Sequence, residues 1–167
     1  DVCHAHGVKF GAGDMYRNYE QLWRAREMIA AGEIGDVVSI VNRGPASSGN
    51  GCQDLSVVRL FAGDLPVEWV VGWSNGRPLD EDLGTVDASS DHDQELGGVI
   101  RFSSGLSAQI LDKPGPLRGI EVLCERGVFT SDYSSFRLLA RSAQTARRQR
   151  GLFDLVEKPG LFEDSVD

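Results

Sequence analysis

Leu96-Gly97-Gly98-Val99-Ile100-Arg101-Phe102, then Ser103-Ser104-Gly105, then Leu106-Ser107-Ala108-Gln109-Ile110-Leu111 reads as two strands around a turn. Apolar and β-branched residues fill both arms, and the small polar residues with glycine between them mark a hairpin. The pattern repeats downstream, where Ile120–Cys124 and Val128–Ser131 flank Glu125-Arg126-Gly127. Phe136–Ala140 reads as one more strand. These short strands in sequence predict an antiparallel meander over the second half of the chain.

Upstream, the periodicity changes to 3.6. Leu22, Ala25, Met28 and Ile29 share one helical face, and Gly32 is placed to end the helix. Asn18 with Gln21 has the spacing of a capping box. A second helix is expected at about 52–62, with Leu55, Val58, Phe61 and Ala62 on its apolar face and Gly63 at its end. Short strands are expected at 7–12 and 37–41, and a longer one from Val67 to Trp73. Residues 77–94 are acidic and weakly patterned and read as a loop, and 152–167 shows no clear period. Helices segregated from a run of hairpins indicate an α+β fold: an open, mainly antiparallel sheet with about two helices on one face.

Composition narrows the function classes. The chain has 167 residues and a net charge of −8. An acidic chain lacks the basic face that neutralises phosphates, so neither nucleic acid nor an anionic membrane is expected as a partner. The basic group Arg147, Arg148 and Arg150 reads as a solvated segment. Cys3, Cys52 and Cys124 have no paired spacing, which fits free thiols and a cytoplasmic setting.

Three stretches, in this order, resemble one family. The first runs from Gly7-Val8-Lys9-Phe10-Gly11-Ala12-Gly13-Asp14-Met15-Tyr16-Arg17-Asn18 through Ala25-Arg26-Glu27-Met28-Ile29 to Gly32-Glu33-Ile34-Gly35-Asp36-Val37. The second is Asp54-Leu55-Ser56-Val57-Val58-Arg59-Leu60-Phe61-Ala62-Gly63-Asp64 with Val67-Glu68-Trp69-Val70. The third joins Gly98–Gly105, Gly119–Val122 and Glu125-Arg126-Gly127. Together they look like the C-terminal part of the glucose-fructose oxidoreductase / inositol dehydrogenase / rhizopine catabolism (Gfo/Idh/MocA) family.

The resemblance implies a dihydrodipicolinate-reductase-like C-terminal domain. Residues 1–17 would be the remnant of the last strand and linker of a Rossmann domain, 18–141 the substrate and oligomerisation domain, and 142–167 a C-terminal tail. It also implies NAD or NADP in a longer parent, a small sugar or polyol as hydroxy substrate, and self-association through the open sheet. No G-x-G-x-x-G follows a strand and opens a helix, so the chain alone is expected to hold no cofactor and to be inactive.

The family often carries a histidine ten residues before the glycine that ends the second helix. Here that position is Gln53, and an acidic residue often found four residues earlier is replaced by Gly49. Glutamine donates and accepts hydrogen bonds but is no proton-transfer base near neutral pH. The domain is therefore expected either to bind the substrate of such an oxidoreductase or to serve as a non-catalytic module of the same fold. Candidate substrate contacts are Arg17, Asn50, Gln53 and Asp54, with Gln53 also at the family's catalytic position.

Each candidate has a plainer reading beside the functional one. Arg17 is also a turn residue, Asn50-Gly51 a standard turn pair, and Asp54 an acid that complements a helix dipole. Glu157-Lys158-Pro159 matches a family active-site motif but stands downstream of every matched segment, and it reads as coincidence. Cys3-His4-Ala5-His6 and Asp91-His92-Asp93 have metal-ligand types without a complete set. Trp69 and Trp73 share a strand face, suited to packing or to stacking on a sugar ring.

Overall fold

The structure, a computed structural model, describes residues 2–9, 14–44, 51–74, 96–112, 118–141 and 155–157. The helices are α1 (Val2–Ala5), α2 (Glu20–Ala30) and α3 (Gly51–Phe61), with a 3-10 turn at Tyr16–Asn18 before α2. The strands are β1 (Val37–Asn42), β2 (Val67–Ser74), β3 (Leu96–Phe102), β4 (Ser107–Ile110), β5 (Ile120–Cys124), β6 (Gly127–Ser131), β7 (Phe136–Arg141) and β8 (Leu155–Glu157).

All eight strands join one sheet in the order β2-β3-β4-β1-β5-β6-β7-β8. Both hairpins form where their turns predict them, β3 with β4 and β5 with β6. The expected meander is interrupted once. β1 lies between β4 and β5, parallel to the first and antiparallel to the second. An upstream strand thus fills the gap between two downstream ladders.

Alternation along the strands sorts residues onto two faces. Ile40, Ala108, Ile110, Ile120, Val122, Phe129 and Leu138 are buried on the helix side. From α2 come Leu22, Ala25 and Ile29, and from α3 Val57, Val58, Leu60 and Phe61. Phe61 meets Phe129 with ring centroids 5.1 Å apart, which ties α3 to β6. Burying a side chain of this kind stabilises the fold by about 2–3 kcal/mol. Among the described residues no helix covers the opposite face. There Trp69, Val71 and Leu123 remain exposed.

Helix ends follow local rules with one correction. Gly32 has φ +80, and Glu33 N–H donates to the Met28 carbonyl at 3.2 Å, so α2 closes as its glycine predicts. Asn18 does not cap α2. It belongs to the 3-10 turn, and the N-cap position is Tyr19, which makes no side-chain cap bond. Asp14 serves the turn instead, accepting from Arg17 N–H at 3.1 Å.

Gly7–Lys9 form no strand, because they follow the short α1 as turn and coil, while residues 10–13 lie outside the described residues. The expected loop at 77–94 also lies outside them. β8, within the unpatterned C-terminal stretch, pairs antiparallel with β7.

One glycine controls how β5 meets β6. Gly119 has φ +129, and a Cβ there would stand 1.9 Å from the Ser131 carbonyl oxygen. Gly32, by contrast, has open space around the Cβ position. We expect Gly119→Ala to lower unfolding free energy by roughly 3 kcal/mol or more and Gly32→Ala by only about 1 kcal/mol. Urea denaturation of both variants checks the ratio; equal losses would contradict the close approach at Gly119.

Candidate functional site

The first turn of α3 sits over the end of the sheet where β1 stops. Apolar spacing drives Val57, Val58, Leu60 and Phe61 into the core, and this rotation turns Asp54 inward as well. Asp54 is only 3% exposed. A buried carboxyl needs partners, and three different elements supply them.

Tyr133, in the β6–β7 turn, donates its hydroxyl to Asp54 Oδ1 at 3.1 Å. Arg118, just before β5, places Nη2 3.6 Å from Oδ2. Asn42, at the end of β1, brings its amide near enough to the same carboxyl to favour the charged form. Burial raises Asp54 above the ordinary carboxylate range; Tyr133, Arg118 and Asn42 pull it back. Burial and the neighbouring Asp54 carboxyl push the Tyr133 phenol far above its usual value.

The local chain explains how these groups arrive. Tyr133 has φ +67, a conformation uncommon for a bulky residue. It is held there by Asp132, whose Oδ1 accepts from the N–H and hydroxyl of both Ser134 and Ser135 at 2.6–2.9 Å. Those bonds keep the Asp132 carboxyl far below the usual range. The Tyr133 ring stacks on Tyr16 at 4.4 Å. Asn42 Nδ2 donates to the Gly44 carbonyl at 2.9 Å, and its buried Oδ1 has no partner among the described residues. A side chain at Gly44 would crowd Arg118, whose Nε lies 3.2 Å from the Cβ position.

An apolar hollow of about 470 Å³ opens at the same end of the sheet. Its lining includes Leu55, Val70, Gly72, Gly98 and Ile110. Gly72 pairs with Gly98 across β2 and β3, and Ile110 pairs with Asn42. Leu55 follows Asp54 on α3, so the polar cluster and the hollow share one helical turn. Trp73 also lines the hollow, and its Nε1–H donates to Asp112 Oδ2 at 3.0 Å.

The sequence candidates divide. Gln53 and Asp54 come together on α3, Gln53 half-buried beside the buried acid. Asn50 lies outside the described residues. Arg17 joins a different group. Its guanidinium forms a two-pronged pair with Asp64, at 3.0 Å and 2.5 Å, and reaches the Ser56 carbonyl at 3.4 Å. This hydrogen-bonded pairing holds the Asp64 carboxyl below its ordinary range. Arg17 thus ties the 3-10 turn to the far end of α3 and is not part of the Asp54 cluster.

Asn42, Arg118 and Tyr133 were not legible as site residues. Only Asp132 followed by Ser134 and Ser135 between two strands signals a side-chain-locked turn, and it points to Tyr133. Cys3-His4-Ala5-His6 lies on and just after α1, and Asp91-His92-Asp93 lies outside the described residues. Among the described residues no three His, Cys, Asp or Glu side chains form a metal cluster. Cys3, Cys52 and Cys124 are free thiols; burial, with Asp36 and Glu125 nearby, pushes Cys124 up to about 11. No helix among the described residues is long and apolar enough to cross a membrane.

No family model matches the chain, and no curated protein matches it. Solved structures do. An oxidoreductase from Pseudomonas syringae is 16% identical with a TM-score of 0.61, over 93% of this chain and 43% of that one. An inositol dehydrogenase homologue from Azotobacter vinelandii, complexed with NADH and myo-inositol, is 11% identical with a TM-score of 0.63, over 99% and 48%. The aldose-aldose oxidoreductase from Caulobacter crescentus, complexed with glycerol, is 17% identical with a TM-score of 0.56, over 83% and 47%.

The chain therefore spans less than half the length of each of these three. At such identities the shared property is the fold. These neighbours are oxidoreductases of the Gfo/Idh/MocA type, and the fold is that of their C-terminal domain.

Two outcomes follow from the ionic groups. Asp54 has a folded pKa above its unfolded value, so its stabilising contribution is full below the unfolded value and is lost as pH rises through the folded one. Asp54→Asn should therefore gain stability relative to wild type as pH rises from about 4 to 7. Urea midpoints across that range test this, and a constant difference would refute the burial argument. Arg17→Ala and Asp64→Asn should each cost about 1 kcal/mol or less, since both groups are partly exposed. In the double variant the losses should not add; full additivity in the cycle would remove the pair.

Proposed function

We propose that this chain is the substrate-binding and oligomerisation domain of an NAD(P)-dependent oxidoreductase acting on a sugar, polyol or similar hydroxy compound. The observation that carries this reading is the cluster at the α3 first turn. A buried carboxyl with a phenol, a guanidinium and an amide around it lies beside an apolar hollow. That combination suits a ligand with carbon-bound hydroxyls, since polar groups orient it and apolar walls take its carbon face. The fold supports the same reading, because neighbours with this fold are complexed with myo-inositol and glycerol.

No dinucleotide site is assigned to this chain. Positive-φ glycines close turns, but none stands in a glycine-rich strand-to-helix turn that would cradle a pyrophosphate. NAD or NADP is assigned to a nucleotide-binding half of a longer parent, with residues 1–17 as the connection and 18–141 as the substrate domain. Redox chemistry would enter with that half. The residues of this chain bind and orient the hydroxyls, through Arg118 as a donor and Gln53 as a donor or acceptor. The free thiols support a cytoplasmic setting.

Self-association is assigned to the uncovered sheet face, where Trp69, Val71 and Leu123 are exposed. An apolar face of this kind is normally covered by a partner, here a second copy. One observation favours a second reading, a non-catalytic module of the same fold: Gln53 offers no titratable group at the family's histidine position.

Fluorescence titration is expected to show NAD(P)H binding by the full-length gene product and none by the 167-residue chain. Tight binding by the short chain would overturn the assignment of the cofactor to another half. A full-length product that binds the cofactor but oxidises no sugar or polyol would favour the non-catalytic module. Sedimentation velocity should find the chain self-associated and Val71→Lys monomeric.

A further inference from the structure

We propose that Tyr133 is the group through which this site accepts a proton from a bound hydroxyl, with Asp54 behind it as the holder of that proton. The inference rests on the hydroxy-compound reading above.

Position comes first. Asp54 is 3% exposed, so a ligand does not touch it directly. Tyr133 is half-buried and is hydrogen-bonded directly to it. The phenol proton points at Asp54 Oδ1, 3.1 Å away. With its proton committed there, the Tyr133 oxygen has lone pairs free to accept from a ligand hydroxyl.

Rigidity comes second. A tyrosine at φ +67 persists only where the surroundings over-determine it. Four bonds to Asp132 lock the turn, and Ser131 Oγ accepts from Tyr133 N–H at 2.9 Å. The stack on Tyr16 fixes the ring plane. The hydroxyl is thus aimed before any ligand arrives, as proton transfer requires.

The step balances as a proton relay. A ligand O–H bond breaks and its proton joins Tyr133 Oη. The original Oη–H bond breaks in the same motion, and that proton joins Asp54 Oδ1. Tyr133 ends unchanged, the carboxylate becomes a carboxylic acid, and the electron pair of the broken bond stays on the ligand oxygen. Negative charge thereby passes from Asp54, where Arg118 stands 3.6 Å from Oδ2, to the ligand oxygen.

The charged and titratable groups facing the pair are Arg118 before β5 and Tyr16 in the 3-10 turn, with the Asn42 amide from β1 and Gln53 on α3 itself. The phenol is too weak an acid in this setting to ionise alone, so it works only by passing its proton on as it receives another. Asp54, raised by burial, holds a proton more firmly than an exposed carboxylate does.

Two measurements test the relay. In the 167-residue chain, carbon-13 NMR follows the Asp54 carboxyl, assigned against Asp54→Asn. Its midpoint should lie above the ordinary value of about 3.9 and rise by about one further pH unit in Tyr133→Phe, because the bond that favours the charged form is gone. An unmoved midpoint overturns the coupling. Phenylalanine keeps the ring that stacks on Tyr16, and a melting curve confirms that the variant is folded.

In the full-length gene product, initial rates are measured with NAD+ or NADP+ on myo-inositol, sorbitol and glucose. Tyr133→Phe and Asp54→Asn should each lower kcat by about 100-fold or more. KM should change little, and the double variant should be no worse than the poorer single variant. If the wild type oxidises these compounds and Tyr133→Phe keeps its kcat, the relay alone falls. If the wild type oxidises none of them while binding the cofactor, the oxidoreductase reading falls and takes the relay with it.

Discussion

The clasp on β1 from both sides governs this molecule. Ile40 and Asn42 face Ala108 and Ile110 on one edge, and Val122 and Ile120 on the other. Without that strand, β2-β3-β4 and β5-β6-β7-β8 would be two small sheets, each with an open edge. With it they form one surface wide enough for α2 and α3 to cover. β1 also ends at Asn42 and Arg43, where Arg43 N–H donates to the Gly119 carbonyl at 2.7 Å. The clasp that unites the sheet thereby fixes where α3 begins and which strand ends gather beneath its first turn.

At that turn two tendencies oppose each other. The apolar stripe of α3 must face the sheet, and helical geometry carries Asp54 in with it. Removing a carboxylate from water is costly, and the cost is offset only by hydrogen bonds and an opposite charge. Tyr133 supplies the bond, the nearby Asn42 amide assists, and Arg118 supplies the charge at a loose 3.6 Å. An all-apolar arrangement would pack as well or better. Stability alone therefore gives little reason for the cluster, and Tyr133 occupies an unfavourable backbone region where it makes the contact.

Much of the architecture was legible because it is local. The turns at Ser103-Ser104-Gly105 and Glu125-Arg126-Gly127 select their own hairpins, and Gly32 and Gly63 end their helices at φ +80 and +72. The insertion of β1 between β4 and β5 was not legible, since no local signal in Val37–Asn42 names its partners. β8 escaped because three residues are too few to show a period. Of the residues gathered at the α3 turn, the sequence singled out Gln53 and Asp54 as candidates. Asp54 carried a plain role in sequence, as an acid in a first helical turn, and only the rotation of α3 against the sheet reveals its burial. Tyr133 and Arg118 stand 79 and 64 residues away from it in sequence, so their convergence belongs to the tertiary fold alone. Arg17, singled out for its neighbourhood in the chain, proves to be engaged with Asp64.

The parallel contact between β1 and β4 also sets an order of events. Ser39 and Ser107, paired in that ladder, are 68 residues apart, while both hairpins close over a handful. Chain entropy favours the short loops, so each flanking ladder can assemble before the centre does. Only when β1 enters are the α3 turn, Asn42 and the start of β5 brought to one place. The polar cluster is thus completed only when β1 makes its long-range pairings on both sides, and a chain that has gathered these side chains has, by the same act, finished folding.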